Sequence, residues 1–214
     1  MRLRPSGDEP TRYDEVLAGL RAAYDGNAAE RDVADKPDWK LDERLAFLDR
    51  LRVAEATTLL EVGAGTGQDS AYFQAEGLDV TAVDLSGAMV ERIRAKGVPT
   101  FVRDVLHLGF PASSFDAVYT FNTLLHVPNA DLAEAFRAIH AVLKPGGLFF
   151  VGVYGGAAEE GVAEEDRQAP ARFFSFRSDQ DLLGYAKELF DILDFHVYDG
   201  GEDVRFQSLT LVRP

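Results

Sequence analysis

The chain contains no cysteine among its 214 residues. This absence excludes disulfides, a thiolate nucleophile and thiolate metal ligands. Basic residues are also scarce, because 22 lysines and arginines stand against 36 aspartates and glutamates, for a net charge of −14. A surface of this sign repels polyanions at long range, so nucleic acid is not expected as a partner.

Long apolar runs are absent as well. No run approaches the roughly 20 residues that a membrane-spanning helix needs. The opening residues, MRLRPSG, have no apolar core of the kind that a signal peptide carries. We therefore expect a cytoplasmic protein without a membrane partner. The hydrophobic content of 46% is ordinary for a globular chain of this length.

The most informative segment that is present is a glycine-rich turn. Residues 59–67 read LLEVGAGTG, an apolar strand that runs into three glycines spaced two apart. Glycine lets the backbone turn sharply and lets a ligand approach it closely. A second apolar run, residues 80–83, ends at Asp84, whose carboxylate can accept two hydrogen bonds from a ribose diol. This order of elements predicts a nucleoside-binding crevice.

The glycine spacing separates two kinds of nucleotide ligand. A dinucleotide fingerprint reads G-x-G-x-x-G, with a helix N-terminus aimed at a pyrophosphate. Here the third glycine comes one residue early, at Gly67, and Gln68 stands where the dinucleotide pattern has glycine. No lysine follows the turn, so the segment is not a P-loop either.

Strand and helix patterns alternate through the rest of the chain, which predicts a parallel sheet with helices on both faces. Two helical stripes, at 11–24 and 41–52, precede the first strand. The last two strands, near 192–198 and 204–212, are separated by only a short polar turn. Strands joined so closely must be an antiparallel pair.

With these motifs the chain resembles the class I S-adenosylmethionine-dependent methyltransferases, whose first motif is [DE]-x-G-x-G-x-G. Further matching segments are VRDV around Asp104, FDAVY from Phe115 and LKPGGL from Leu143. The resemblance implies an α/β fold with a doubly wound, mostly parallel seven-stranded sheet and an antiparallel last strand. The resemblance covers roughly residues 55–214, a cofactor-binding domain with a substrate-loop insertion at 154–177. The two helical stripes lie before it and outside the alternation, so we predict a helical flank or lid at 1–54.

The function implied by the resemblance is transfer of a methyl group from S-adenosyl-L-methionine to a small-molecule acceptor, which leaves S-adenosyl-L-homocysteine. Three alternatives stay open at this point. These are a protein or peptide methyltransferase, a scaffold that binds the cofactor without turnover, and a dinucleotide oxidoreductase, which the glycine spacing disfavours. No metal is expected, since the Asp/Asn cluster of the metal-dependent O-methyltransferases is not apparent. The sequence does not indicate an oligomeric state.

Fourteen residues are predicted to bind the cofactor. They are Tyr24, Trp39, Lys40, Glu61, Gly63, Ala64, Gly65, Gln68, Asp84, Leu85, Met89, Asp104, Val105 and Phe121. Some have a second interpretation: Leu85 and Met89 suit the core equally well, and Gln68 suits a helix start. The motifs leave the methionine carboxylate of the cofactor without a partner. Candidates to hold it are Tyr24, Trp39, Lys40 and also Arg31, although each of them also suits packing within the lid.

Two residues are predicted to act on the acceptor. His126 follows the strand at 115–121, at the edge of the sheet where the crevice opens, and suits a general base. It also suits packing against the next helix. Tyr154 begins the insertion, whose segment RFFSFR at 172–177 combines aromatic rings with two arginines. Such a segment suits an aromatic or carboxylate-bearing acceptor, or it pins the loop to the core.

Overall fold

A computed structural model of the chain describes residues 2–5, 7, 9–200 and 205–214. The helices are α1 (Tyr13–Val33), α2 (Asp38–Val53), α3 (Gln68–Ala75), α4 (Gly87–Ala95), α5 (Asn129–Val142) and α6 (Asp179–Lys187), with a 3₁₀ turn at Leu124–His126. The strands are β1 (Leu3–Pro5), β2 (Thr58–Val62), β3 (Asp79–Asp84), β4 (Thr100–Val102), β5 (Phe115–Phe121), β6 (Leu143–Tyr154), β7 (Glu159–Ala163), β8 (Phe173–Phe176), β9 (Asp191–Asp199) and β10 (Arg205–Val212).

A seven-stranded sheet organises the fold in the order β4-β3-β2-β5-β6-β10-β9. The strands from β4 to β6 are parallel, and β10 is antiparallel to both of its neighbours. This arrangement confirms the predicted fold class. Of the polar turn expected between the last two strands, residues 201–203 lie outside the described part of the chain.

The apolar strands are buried because helices cover both faces of the sheet. Adjacent residues on a strand point to opposite faces. Leu59 accordingly packs with Phe47 of α2 and Phe73 of α3, whereas Leu60 packs with Phe136 of α5. Burial on both faces explains why strands such as β2 appear as continuous apolar runs in the sequence.

The first helix is longer than its apolar stripe suggests. We expected it to end near Tyr24, but α1 continues to Val33. Residues 25–33 are mostly exposed, so the helix there needs no apolar face, and its alanine, glutamate and arginine residues have good helix propensity. The second helix also begins early, at Asp38, directly after Pro37.

The insertion at 154–177 is not the irregular loop that the sequence suggested. Strands β7 and β8 pair in antiparallel fashion within it, and β1 adds a third strand to form a small separate sheet. The third strand, β1, comes from the N-terminal segment of the chain. Aromatic residues favour strands, and the acidic partner strand is not simply solvated, because Glu160 accepts a hydrogen bond of 2.9 Å from Ser175 Oγ.

The chain order places a crevice at the carboxyl ends of β2 and β5. From β2 the chain builds outward through β3 and β4, then crosses back to β5 on the other side of β2. The connections after these two strands therefore diverge, which is where ligands bind in open α/β sheets. Within the described residues, no helix has both the length and the apolar character needed to cross a bilayer.

Candidate active site

The glycine turn after β2 is held in a conformation that side chains disfavour. Gly63, Gly65 and Gly67 have φ angles of +72°, +57° and +78°. The first is crowded, because a Cβ on Gly63 would stand 2.9 Å from Thr123 Cβ. A Cβ on Gly65 would meet nothing within 4 Å. The backbone at Gly65 therefore faces open space, as a backbone that receives a ligand must.

Asp84 lies at the end of β3 beside this turn. Its two carboxylate oxygens accept hydrogen bonds from the backbone N–H groups of Gly65 at 2.8 Å and Ser86 at 2.9 Å. Burial raises the pKa of Asp84 to about 6, against the opposing effect of these two bonds. The N–H groups of Gly65 and Ser86 orient the carboxylate, one at each oxygen. The carboxylate oxygens keep further lone pairs that can accept hydrogen bonds from a ligand.

Two neighbouring cavities open along the crevice. The larger has a volume of about 220 Å³ and is bordered by the glycine turn, Glu61 and the connection between α1 and α2. The smaller has a volume of about 60 Å³ and is bordered by Asp84, Tyr24 and His126. Arg31 borders both cavities, as do Gly63, Gly65, Phe121 and Asn122.

Glu61 is a buried acid at the floor of the larger cavity. Ser70 Oγ donates a short hydrogen bond to it. Burial raises the pKa of Glu61 well above its usual range, and the negative charge of Asp69 adds to the effect. Asp69 itself is paired with Lys36 and with Arg44, the latter at 3.0 Å. Glu61 is therefore held as a neutral acid until a cation arrives beside it.

Helix α1 packs against α4 and is fastened near both ends of that helix. Asp25 accepts hydrogen bonds from Ser86 Oγ at 2.5 Å and from the N–H of Ala88 at 3.1 Å, so it caps the start of α4. Near the end of α1, Asp32 pairs with Lys96 of α4 at 2.5 Å. These contacts hold α1 over the edge of the sheet that carries Asp84.

His126 and Tyr24 form a hydrogen-bonded pair in the smaller cavity. His126 Nδ1 lies 2.7 Å from the carbonyl oxygen of Phe173, so that nitrogen carries the proton. The other ring nitrogen, Nε2, accepts from the Tyr24 hydroxyl at 2.5 Å. Arg172 Nη1 donates to the same hydroxyl oxygen at 3.3 Å. Burial lowers the pKa of His126 to about 3, so its ring is neutral.

Lys40 extends from α2 into the larger cavity among aromatic rings. Its Nζ lies 5.2 Å from the ring centroid of Trp39, 5.4 Å from that of Phe121 and 5.1 Å from that of Tyr154. Burial lowers the pKa of Lys40 to about 8, and the nearby charges of Lys36 and Arg31 act in the same direction.

Asn122 carries a polar atom that the protein leaves unsatisfied. The residue follows β5, has a φ of +56° and borders both cavities. Its Oδ1 is buried and has no hydrogen-bond partner among the described residues. A buried acceptor without a donor costs roughly 1–3 kcal/mol, which a ligand donor would recover.

Comparison with known proteins agrees with this geometry. A family model described as a methyltransferase domain matches residues 60–151. This match covers the glycine turn, Asp84 and β5. Residues 60–151 thus match a methyltransferase domain, in agreement with the resemblance of the motifs to the class I S-adenosylmethionine-dependent methyltransferases.

Two curated relatives illustrate the similarity. The chain is 27% identical over 152 residues to the methyltransferase GfsG of Streptomyces halstedii, across 63% of this chain and 53% of that protein. It is 32% identical over 124 residues to a 2-methyl-6-phytyl-1,4-hydroquinone methyltransferase of Synechocystis, across 55% of this chain and 36% of that protein. The chain thus spans about half or less of the length of these relatives.

Solved structures share the fold of the domain over nearly the whole chain. One is the 1,6-didemethyltoxoflavin-N1-methyltransferase of Burkholderia thailandensis with bound 1,6-didemethyltoxoflavin and S-adenosylhomocysteine. It aligns at a TM-score of 0.76 and 20% identity, over 99% of this chain and 94% of that one. Another is the [4+2]-cyclase SpnF, at a TM-score of 0.69 and 20% identity, over 99% of this chain and 98% of that one.

Most of the residues predicted to bind the cofactor border the two cavities of the domain. Those that do so are Tyr24, Lys40, Glu61, Gly63, Ala64, Gly65, Gln68, Asp84, Leu85 and Phe121. Gln68 also fastens the α1–α2 connection, since its Nε2 donates to the carbonyls of Asp32 and Ala34 at 3.2 Å.

The other four predicted residues lie outside the two cavities. Met89 and Val105 are buried in the core, at 0% and 2% exposure. Trp39 is stacked on Tyr198 with ring centroids 4.6 Å apart. Asp104 accepts hydrogen bonds from the backbone of the next turn, including Leu106 N–H at 2.9 Å. Its position at the end of β4 is the one that the family motif indicates, but the protein already uses its carboxylate.

The two arginines of the RFFSFR segment do not point to a ligand in the way the sequence suggested. Arg172 forms an ion pair with Asp166 at 2.8 Å. Arg177 is 3% exposed and donates to the carbonyls of Leu124 and Val127 at 3.1 and 2.5 Å. Arg177 thus holds the 3₁₀ turn that carries His126, a role that no local motif indicates.

Phe173 and Phe174 are also buried, and the ring of Phe174 lies 4.8 Å from that of His126. In the described part of the chain, no group of three or more His, Asp or Glu side chains is arranged to hold a metal ion.

Proposed function

We propose that this protein is an S-adenosylmethionine-dependent methyltransferase that acts on a small molecule. The observation that carries the proposal is the pairing of Asp84 with the open backbone of Gly65, because the N–H of Gly65 donates to the acid at 2.8 Å. A ribose diol that binds Asp84 would lie against Gly65. At Gly65, unlike at Gly63, no described atom stands within 4 Å of an added Cβ. The family match over residues 60–151 supports the same ligand.

The residues present fit this cofactor at three further points. Asn122 Oδ1 is a buried acceptor that requires a donor, such as the ammonium of a methionine group. Glu61 is a buried neutral acid that becomes ionised when a cation lies nearby. Arg31 borders both cavities and suits a carboxylate, since a guanidinium binds one through two parallel hydrogen bonds. We propose these three, with Asp84, as the principal polar contacts.

When bound, the cofactor supplies an activated methyl group on a sulfonium. The protein then has to align the acceptor and exclude water, and such positioning can supply roughly 7–11 kcal/mol of the barrier. We propose that α1 and its connection to α2, within residues 1–54, cover the cofactor held by residues 55–214. The hairpin β7–β8, within 154–177, closes the acceptor side, where Arg172 reaches Tyr24.

An acceptor that arrives protonated requires a base, and Tyr24 with His126 is the pair we propose for it. Tyr24 borders the smaller cavity, and its hydroxyl already donates to His126 Nε2 over 2.5 Å. Loss of the acceptor proton to Tyr24 can therefore accompany transfer of the tyrosine proton to His126. Burial raises the pKa of Tyr24, and Arg172, which donates to the same oxygen, opposes that shift.

Relatives named as small-molecule methyltransferases, including the hydroquinone and toxoflavin enzymes, support a small acceptor over a protein one. A second candidate is a cyclase or another activity without methyl transfer, because a neighbour with this fold is described as a [4+2]-cyclase. A methyltransferase consumes the cofactor in each turnover, whereas an activity without methyl transfer does not.

The experiment that tests the proposed function follows methyl-labelled S-adenosylmethionine in the presence of a panel of small acceptors. We expect label in a small product and stoichiometric S-adenosylhomocysteine. Asp84→Asn should lose this turnover, while Asp199→Asn, on the last β-hairpin, serves as a charge-matched control. Binding of the cofactor without turnover by any acceptor would favour the second candidate.

A further inference from the structure

Two cations of the larger cavity have no anionic partner. Among the residues that the structure describes, the side chains of Arg31 and Lys40 make neither a hydrogen bond nor an ion pair. Their contacts are with aromatic faces, Arg31 lying 5.3 Å from the ring centroid of Tyr24 and Lys40 lying near three rings. Arg31 is exposed, whereas Lys40 is partly buried and its pKa is lowered by that burial. Removing a cation from water without a counterion is costly, so an anionic ligand beside Lys40 would be favourable.

The acids that border the same cavity do not supply this charge. Burial keeps Glu61 protonated, as its raised pKa shows. Asp69 is already shared between Lys36 and Arg44. Asp35, the third acid at this cavity, forms no ion pair with Arg31 or Lys40 in the described part of the chain. With Glu61 neutral, the lining cations Arg31, Lys36 and Lys40 outnumber Asp35 and Asp69, so the cavity is locally positive although the whole chain is strongly acidic.

The two cations occupy different parts of the crevice. Arg31 borders the smaller cavity together with Asp84, and its charge acts on the pKa of that acid. Lys40 borders the larger cavity but not the smaller one. Its neighbours Phe121 and Tyr154 end β5 and β6, which lie two and three strands away from β3 in the sheet. Lys40 thus lies on the side of the crevice away from the ribose-binding acid.

S-adenosylmethionine carries one carboxylate, which Arg31 is placed to hold. We propose that Lys40 is the specificity-determining residue for the acceptor, and that the acceptor is a planar aromatic acid. Its carboxylate would pair with the Lys40 ammonium, and its ring would lie along Phe121 and Tyr154. Aromatic walls around a single polar group are the usual form of a site for a flat ligand. This inference rests on the proposed function, and it gives Lys40 a role other than the cofactor contact expected from the sequence.

The first part of the test separates the two cations by cofactor affinity. Lys40→Met keeps an unbranched apolar side chain among the three rings, and Lys187→Met on the exposed face of α6 is the matched control. By calorimetric titration with S-adenosylhomocysteine, we expect Lys40→Met and the control to bind within about twofold of the wild type. We expect Arg31→Met to bind at least about tenfold more weakly, as for loss of a charged hydrogen bond.

A tenfold loss in Lys40→Met with normal affinity in Arg31→Met would show that Lys40 holds the cofactor, and would overturn the inference while leaving the proposed function intact. Failure of the wild type to bind S-adenosylhomocysteine would instead refute the proposed function. The two failures are therefore distinguishable.

The second part measures acceptor recognition on the protein saturated with S-adenosylhomocysteine. The probes are benzoate, salicylate, 4-hydroxybenzoate, anthranilate and indole-3-carboxylate, each paired with its carboxamide. We expect at least one acid to bind about tenfold or more tightly than its amide, and this preference to vanish in Lys40→Met. Lys40→Arg should retain the preference for acids, because it keeps the positive charge. This result would show that the loss in Lys40→Met is due to the charge and not to a structural change. Equal binding of acids and amides, no binding of any acid, or a preference that persists in Lys40→Met would refute the assignment.

Discussion

Replacing Gly65 by alanine tests whether a glycine at this turn is required for ligand binding or for folding. The residue has a φ of +57°, and an added Cβ would meet no protein atom within 4 Å. The only stability cost in the free protein is therefore the left-handed backbone, about 1–2 kcal/mol for a residue with a side chain. In the complex, the same Cβ would occupy the space where the ligand meets the backbone. We expect S-adenosylhomocysteine affinity to fall at least about tenfold, equivalent to about 1.4 kcal/mol.

The chain offers a matched control for the backbone strain. Gly97, just past the end of α4, has a φ of +79° and also has nothing within 4 Å of its added Cβ. Gly97→Ala should lose as much stability in urea denaturation as Gly65→Ala, yet bind the ligand as the wild type does in calorimetry. Gly63→Ala should be less stable than both, because its Cβ would collide with Thr123. If Gly65→Ala binds at wild-type strength, the turn is structural and the reasoning is wrong.

Three further changes test other parts of the account. Burial raises the pKa of Glu61 above its usual 4.5, so wild-type stability should fall as the pH rises above that value, and Glu61→Gln should be more stable than the wild type at pH 7 in urea titrations. Burial alone would lower the pKa of His196, but bonds to Glu43 and Asp194 raise it. The loss of stability in His196→Gln should therefore be largest below pH 6.5 and shrink as the pH rises through the native pKa, which denaturation at pH 5.5 and 9 would show. Phe174→Ala should lose about 3 kcal/mol of stability and impair methyl transfer more than cofactor affinity, both measured where the variant is folded.

Features that depend on residues close together in the sequence were predictable. The glycine turn, Asp84 and the strands around them follow from local spacing and apolar runs, and the structure brings Gly65 and Asp84 together through a direct hydrogen bond. The antiparallel end of the sheet followed from the length of the last turn. These features require only local backbone geometry and the ordering rules of α/β sheets.

Features that depend on distant residues were not predictable. Asp25 caps α4 through Ser86, 61 residues further along the chain, and Arg177 holds carbonyls about 50 residues before it. Nothing in the neighbourhood of either residue indicates its partner. The hairpin β7–β8 was not predicted either, because its strands pair across the insertion through contacts such as the hydrogen bond from Ser175 to Glu160.

The central claim is that Asp84 holds the ribose of an adenosyl cofactor. The most direct measurement is a calorimetric titration of S-adenosylhomocysteine into the wild type and into Asp84→Ala, with circular dichroism to confirm that both are folded. Loss of a charged acceptor costs roughly 1.5–3 kcal/mol, so the variant should bind about 10- to 100-fold more weakly. A wild type that does not bind the ligand, or a folded variant that binds it equally well, would contradict the account.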